Sequence, residues 1–208
     1  MKSIARPASL FSGLFLLLLL MLLACNKSST GIQPAPGGQN VFPNQIGDEW
    51  DYFYVDSLRG KTDTVRVRVV GTRRFGADRE AKIWQFQFKD RVDTQYVEIR
   101  DDTVRFIPDL DQPWFNRKFV LPLQVGKGWK GDFLSDTSTV VSKGPLTVGS
   151  RHFAEAYLVL ETWRIFNDYG TVRTRAVPGV GIVQMHQVRS VLAPFINEQW
   201  ELLDFSLK

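Results

Sequence analysis

Side chains able to titrate toward catalysis, hold a metal or attack a substrate are few in this chain. The sequence has two histidines, His152 and His186, and one cysteine, Cys25. Neither histidine stands in a spacing such as H-E-x-x-H or H-x-H, which would bring two imidazoles to one ion. A site using both, with Glu155 or Glu161, would need the fold to converge them. No G-x-S-x-G elbow presents an activated serine. Gly126-Lys127-Gly128-Trp129-Lys130-Gly131 is glycine-rich. It lacks the P-loop spacing and the following helix whose N-terminus would hold phosphate, so it reads as a hairpin turn. Asp48, Glu49 and Asp51 flank Trp50, the pairing of carboxylates and aromatics that a glycan-binding or glycan-cleaving site uses. The same residues serve equally in turns and edge-strand protection. Asp101-Asp102 and Asp109-Leu110-Asp111 are smaller acidic clusters, and the second departs from a calcium loop. Arg66 and Arg68, Arg73-Arg74, Arg117-Lys118, and Arg173 and Arg175 are spread along the chain. They form no basic stripe of the kind nucleic acid requires. These residues predict no catalytic centre, no cofactor, no metal site and no nucleic-acid partner.

Cys25 is different. Lys2 and Arg6 precede an apolar run over residues 10–24, broken only by Ser12 and Gly13. Its 15 residues fall short of the roughly 20 a membrane span needs and match the apolar region of a secretory signal peptide. The run ends at Leu22-Leu23-Ala24-Cys25, which resembles the lipobox of bacterial lipoproteins. That resemblance implies cleavage after Ala24 and acylation of Cys25, a diacylglycerol on sulfur with palmitate-like chains and a further acyl group on the new amine. Acyl chains contribute about 0.8 kcal/mol per buried methylene, so two or three would hold the chain to a membrane. With Asn26 after the cysteine, the resemblance to lipoproteins of enteric bacteria implies the outer membrane, facing the periplasm, with the cell surface as the alternative. A lipidated Cys25 leaves no thiol for a disulfide or a cysteine-based site.

Removing Lys2 and Arg6 with the leader lowers the formal charge from +4 to +2, with 24 basic against 22 acidic residues. The apparent basicity is partly an export signal. Residues 25–41 are rich in Ser, Gly, Pro, Asn and Gln, the composition of a flexible tether. The expected organisation is a signal peptide over 1–24, a tether over 25–41 and a globular domain over 42–208.

The globular region follows period two. Val65, Val67 and Val69 alternate with Arg66 and Arg68, and Trp84, Phe86 and Phe88 with Gln85, Gln87 and Lys89. Such alternation predicts half-buried strands. Further strands are expected over 50–57, 95–100, 103–107, 129–134, 137–142, 152–166, 181–190 and 197–207. Turns are expected at Arg59-Gly60, Asp101-Asp102, Asn167-Asp168-Tyr169-Gly170 and Pro178-Gly179. No capped amphipathic helix stands out. The prediction is an all-β antiparallel domain, as an open sheet, barrel or half-barrel. The 15 Phe, 6 Trp and 5 Tyr are expected to fill its core, with an aromatic-lined cavity as the alternative reading.

An internal repeat adds detail. Pro43, Gln45, Ile46, Gly47 and Trp50 match Pro122, Gln124, Val125, Gly126 and Trp129 at a constant offset of 79. Glu80-Ala81 and Glu155-Ala156 extend the echo downstream. Two sequence-related halves, 42–120 and 121–208, are therefore expected. The segments Pro122-Leu123-Gln124-Val125-Gly126-Lys127-Gly128-Trp129 and Pro178-Gly179-Val180-Gly181-Ile182-Val183, with Phe153-Ala154-Glu155-Ala156-Tyr157 matched in part, resemble a loose, functionally uncharacterised group of exported bacterial β-rich proteins. The resemblance implies antiparallel strands, and for some relatives a half-barrel that carries lipids or lipoproteins across the periplasm. The function expected first is that of a non-enzymatic envelope lipoprotein binding or scaffolding a partner protein. Carriage of a lipid or other hydrophobic ligand comes second, and a glycan-directed role third.

Overall fold

The computed structural model describes residues 42–111, 116–131, 137–165, 168–190 and 195–208. The expected signal peptide, Ala24, Cys25 and the expected tether lie outside the described residues. Those described belong to one compact unit, Gly31–Lys208.

Twelve strands follow in chain order: β1 (Glu49–Asp56), β2 (Lys61–Phe75), β3 (Arg79–Gln87), β4 (Val92–Arg100), β5 (Thr103–Ile107), β6 (Asn116–Val120), β7 (Gly128–Lys130), β8 (Thr137–Val148), β9 (Arg151–Ile165), β10 (Asp168–Val177), β11 (Gly181–Ser190) and β12 (Ile196–Ser206). They form one antiparallel sheet in the order β6-β5-β4-β3-β2-β1-β12-β11-β10-β9-β8-β7. Consecutive strands are neighbours except β6 and β7, and β12 returns to pair with β1. The result is an up-and-down meander curled into a nearly closed barrel, open between β6 and β7.

Alternation decides which face is buried. In β2, Val65, Val67 and Val69 are at most 1% exposed. Arg66 and Arg68 lie on the opposite face, bridging to Asp51 and Glu49 of β1. Bulges bend the sheet at Asp51/Tyr52, Val69/Gly71, Val140/Ser142, Gly144/Leu146 and Arg175/Ala176. An extra residue on one strand raises local twist and curvature, which is what rolls a long meander.

The repeated segments take the same backbone form. Gly47 and Gly126 both have positive φ, 96° and 87°, a conformation that disfavours any residue with a Cβ. Asp48 N donates to Gln45 O at 3.0 Å and Lys127 N to Gln124 O at 2.9 Å. Gly47 N bonds Val69 O and Gly126 N bonds Val140 O, each at 2.8 Å. Each turn thus docks its glycine onto the strand after the next, and Trp50 and Trp129 behind the turns are both buried.

Some expectations are corrected. Asn167-Asp168-Tyr169-Gly170 is not a turn throughout: Tyr169 and Gly170 are already in β10, paired with Arg164 and Trp163. β6 and β10 were not anticipated; the inward positions of β10 alternate regularly but are Gly170, Val172, Thr174 and Ala176, too small or polar to announce an apolar face. β8 continues to Val148 rather than ending near 142, carried past Gly144 by a second bulge. β7 covers Gly128–Lys130, and residues 132–134 of the strand expected over 129–134 lie outside the described residues. The aromatic residues do not simply fill a core; they also wall a cleft.

Candidate functional site

Trp50, Tyr52 and Tyr54 project from β1 onto the inner face, and their polar atoms all find partners. Trp50 Nε1 donates to Val180 O at 2.8 Å, Tyr52 OH to Ile182 O at 2.8 Å, and Tyr54 OH to Glu198 Oε1 at 2.9 Å. Trp84 on β3 stacks on Trp50 with centroids 4.8 Å apart and donates to Asn44 Oδ1 at 2.8 Å. Burial pushes the Tyr52 hydroxyl far above its usual range. Burial, then the hydrogen bond to Glu198, does the same for Tyr54. Both stay neutral donors, and both lock the β1 wall to β11 and β12.

Beyond this packed layer the barrel interior opens into a cleft of about 390 Å³. Tyr52, Trp84, Phe86, Phe106 and Trp200 form its aromatic wall, and Val67, Ile182, Met185 and Pro108 add apolar surface. Gln95, Lys118, Gln187 and Arg189 are its polar residues. A volume in the range of roughly 300–1,000 Å³, mostly apolar with a few placed polar groups, is what small-molecule sites share.

The polar groups are positioned across the opening. Lys118 on edge strand β6 reaches Glu161 on β9 at 3.2 Å, both side chains 9% exposed. Phe119, Leu121 and Leu123 pack with Phe42 against Ala176, Val177 and Pro178 at the end of β10. Side chains therefore span the interval between β6 and β10 where no backbone ladder does. Arg189 on β11 lies with its guanidinium 5.3 Å from the ring of Trp163. Trp163 pairs with Gly170, and Gly170 pairs with Arg189. A Cβ on Gly170 would fall 2.1 Å from the indole, so the absent side chain is what lets Trp163 lie across β10.

Most residues singled out in the sequence are used elsewhere. Asp48 accepts from Gln45 N at 2.7 Å and Lys208 N at 2.9 Å, a structural clamp. Glu49 and Asp51 pair with Arg66 and Arg68, and Asp109 closes an Asx turn on Asp111 N. These carboxylates do not meet in the cleft, so the glycan-site arrangement around Trp50 is not assembled. His152 faces Thr147 Oγ1 at 3.1 Å and His186 faces Asn197 Oδ1 at 3.0 Å. Glu155 pairs with Lys143 at 2.7 Å. Among the described residues no group of three or more His, Cys, Asp or Glu is placed to hold a metal. Pro43, Gly47, Trp50, Pro122, Gly126 and Trp129 serve the paired turns, not the cleft.

Lys118, Gln187, Arg189 and Gly170 were not recognised from sequence as site residues. A signal existed: along β11, Met185, Gln187 and Arg189 share one parity, so two polar side chains occupy positions where an apolar face is due.

No family model matches the chain, and no curated protein matches it. Similar solved structures include a protein provisionally named as exported, with a YmcC-like fold, from Bacteroides fragilis. It is 13% identical, with a TM-score of 0.47, covering 79% of this chain and 98% of that one. Another is a provisionally named lipoprotein from Parabacteroides distasonis, 9% identical, with a TM-score of 0.41, covering 79% and 97%.

Proposed function

We propose that the protein is a lipid-anchored component of the bacterial envelope whose nearly closed barrel binds a small apolar or amphipathic ligand without transforming it. The observation that carries this reading is the aromatic cleft of about 390 Å³ on the inner face of the barrel; a second concavity of about 350 Å³ is lined largely by polar and charged side chains. Interiors tolerate few voids larger than a water molecule. At about 30 Å³ per water, the aromatic cleft is a dozen times that size. The cleft favours ligand carriage over the scaffold role that the sequence put first. The lipobox at Cys25 supplies the proposed anchor, and the outer membrane is the proposed location.

The test uses the mature chain with Cys25→Ser, purified without detergent. Native mass spectrometry and organic extraction should reveal a co-purifying apolar molecule, and the neutral fluorophore N-phenyl-1-naphthylamine should bind with enhanced emission. Phe106→Asp places an unpaired carboxylate in the aromatic wall and should weaken uptake at least tenfold. An empty protein that takes up no fluorophore rejects the reading.

A further inference from the structure

We infer that the occupant of the cleft is a single-chain amphiphile with an anionic, oxygen-rich head, held by Arg189 and assisted by the indole N–H of Trp200. The inference rests on the ligand-binding reading above and names the chemistry of its ligand.

Buried N–H groups in folded proteins nearly always have an acceptor, and around this cleft most do. Trp50, Trp84 and Tyr52 each donate to a protein oxygen. Arg189 Nε and Trp200 Nε1 are buried with no hydrogen-bond partner, and both residues line the cleft. Leaving such a donor unmet is costly, more so when it is charged, so two on one cavity wall point to acceptors brought by a ligand.

Charge points the same way. Lys118, the other cation of the cleft, is neutralised by Glu161. Arg189 has no carboxylate partner among the described residues; its recorded neighbour is the ring of Trp163. A guanidinium stays protonated at any physiological pH, so the cleft carries an uncompensated positive charge. Held by an aromatic face instead of an acid, the guanidinium makes no ion pair of its own, and its planar fork fits a carboxylate or phosphate.

Shape limits the remainder. A methylene occupies nearly the space of a water, so the cleft encloses roughly a dozen, most of one long acyl chain. Trp200 pairs with Met185, four residues from Arg189. At about 3.3 Å per residue the two strand positions stand about 13 Å apart. The unmet donors are thus strung along the cleft, which suits an elongated ligand with its head at Arg189 and a second acceptor further along.

The experiment measures displacement of N-phenyl-1-naphthylamine from the Cys25→Ser mature chain by palmitate, hexadecyl phosphate and hexadecanol, below their aggregation limits. One or both anions should outcompete the alcohol at least tenfold, and their ranking tells a carboxylate head from a phosphate head. Arg189→Gln should weaken the preferred anion about 10- to 100-fold and leave hexadecanol unchanged. Trp200→Phe, which keeps an aromatic ring and removes the donor, should cost the anion a few-fold. Equal potency of acid and alcohol on the unsubstituted cleft overturns the inference while ligand binding stands, and that comparison holds even if Arg189→Gln does not fold. Anion preference unchanged in a folded Arg189→Gln also overturns it. Absence of binding by all probes overturns the ligand-binding reading itself.

Discussion

Glu98 is 2% exposed, yet it stays ionised. Arg79 donates to it through both Nε at 2.9 Å and Nη2 at 2.6 Å, and Arg105 Nη1 lies 3.5 Å away. Burial pushes its carboxyl upward, but the Arg79 hydrogen bonds and the charges of Arg79, Arg105 and Arg100 outweigh it, and the net shift is below the ordinary carboxylate range. A folded-state value below the unfolded one adds stability above the unfolded value, about 4.3. That contribution is lost as pH falls through the depressed folded value. Glu98→Gln leaves two arginines facing a neutral amide and should destabilise the protein by about 3 kcal/mol at pH 7. Urea titrations at pH 7 and pH 3 should show a smaller pH-dependent loss for the variant than for the parent. Nothing in the sequence singles out Glu98. Arg79 lies 19 positions away from it, and only strand pairing shows that they meet.

At the scale of elements, the clearest contrast lies between two glycines. Gly126 was legible as a turn residue, because its repeat partner Gly47 made the same demand and both adopt positive φ. Gly170 was read as part of a turn, whereas it sits mid-ladder under Trp163. Alternation cannot register a glycine whose role is to be covered by a neighbour's ring. The two should respond differently to a methyl group. Gly126→Ala meets no atom within 4 Å and should cost only the backbone penalty, about 1 kcal/mol. Gly170→Ala drives a Cβ into the indole and should cost about 2 kcal/mol. It should also displace the ring from Arg189, changing the near-ultraviolet circular dichroism. Denaturant midpoints and that spectrum, compared for the two variants, decide the matter; equal effects would refute the placement of Trp163.

For the whole molecule, antiparallel all-β architecture was legible from period-two patterning, since each hairpin joins strands adjacent in sequence. Closure was not. It depends on β12 returning to β1 with Trp50 opposite Phe205 and Tyr54 opposite Trp200, pairings no local pattern reveals. The cleft was equally hidden, because aromatic residues that fill space and those that wall it have the same composition. The β1–β12 ladder also makes the two halves interdependent. A fragment of residues 42–120 leaves β1 with a bare hydrogen-bonding edge and exposes the wall that Val180, Ile182 and Leu202 cover. It should show no cooperative urea transition, whereas the 42–208 domain should show one that coincides by fluorescence and circular dichroism.

The interval between β6 and β7 also bears on kinetics. Parting any two paired strands means breaking a run of backbone hydrogen bonds, but across this interval the link from β6 to β9 and β10 is the Lys118–Glu161 pair and an apolar patch around Phe119. Opening along this interval would be limited by those side chains and not by unzipping of the sheet, and for the proposed ligand that opening would set the rate of exchange. Substitutions at Phe119 would alter residence time through the rate of opening, while affinity stays in the hands of the cleft residues, the aromatic wall and Arg189 above all.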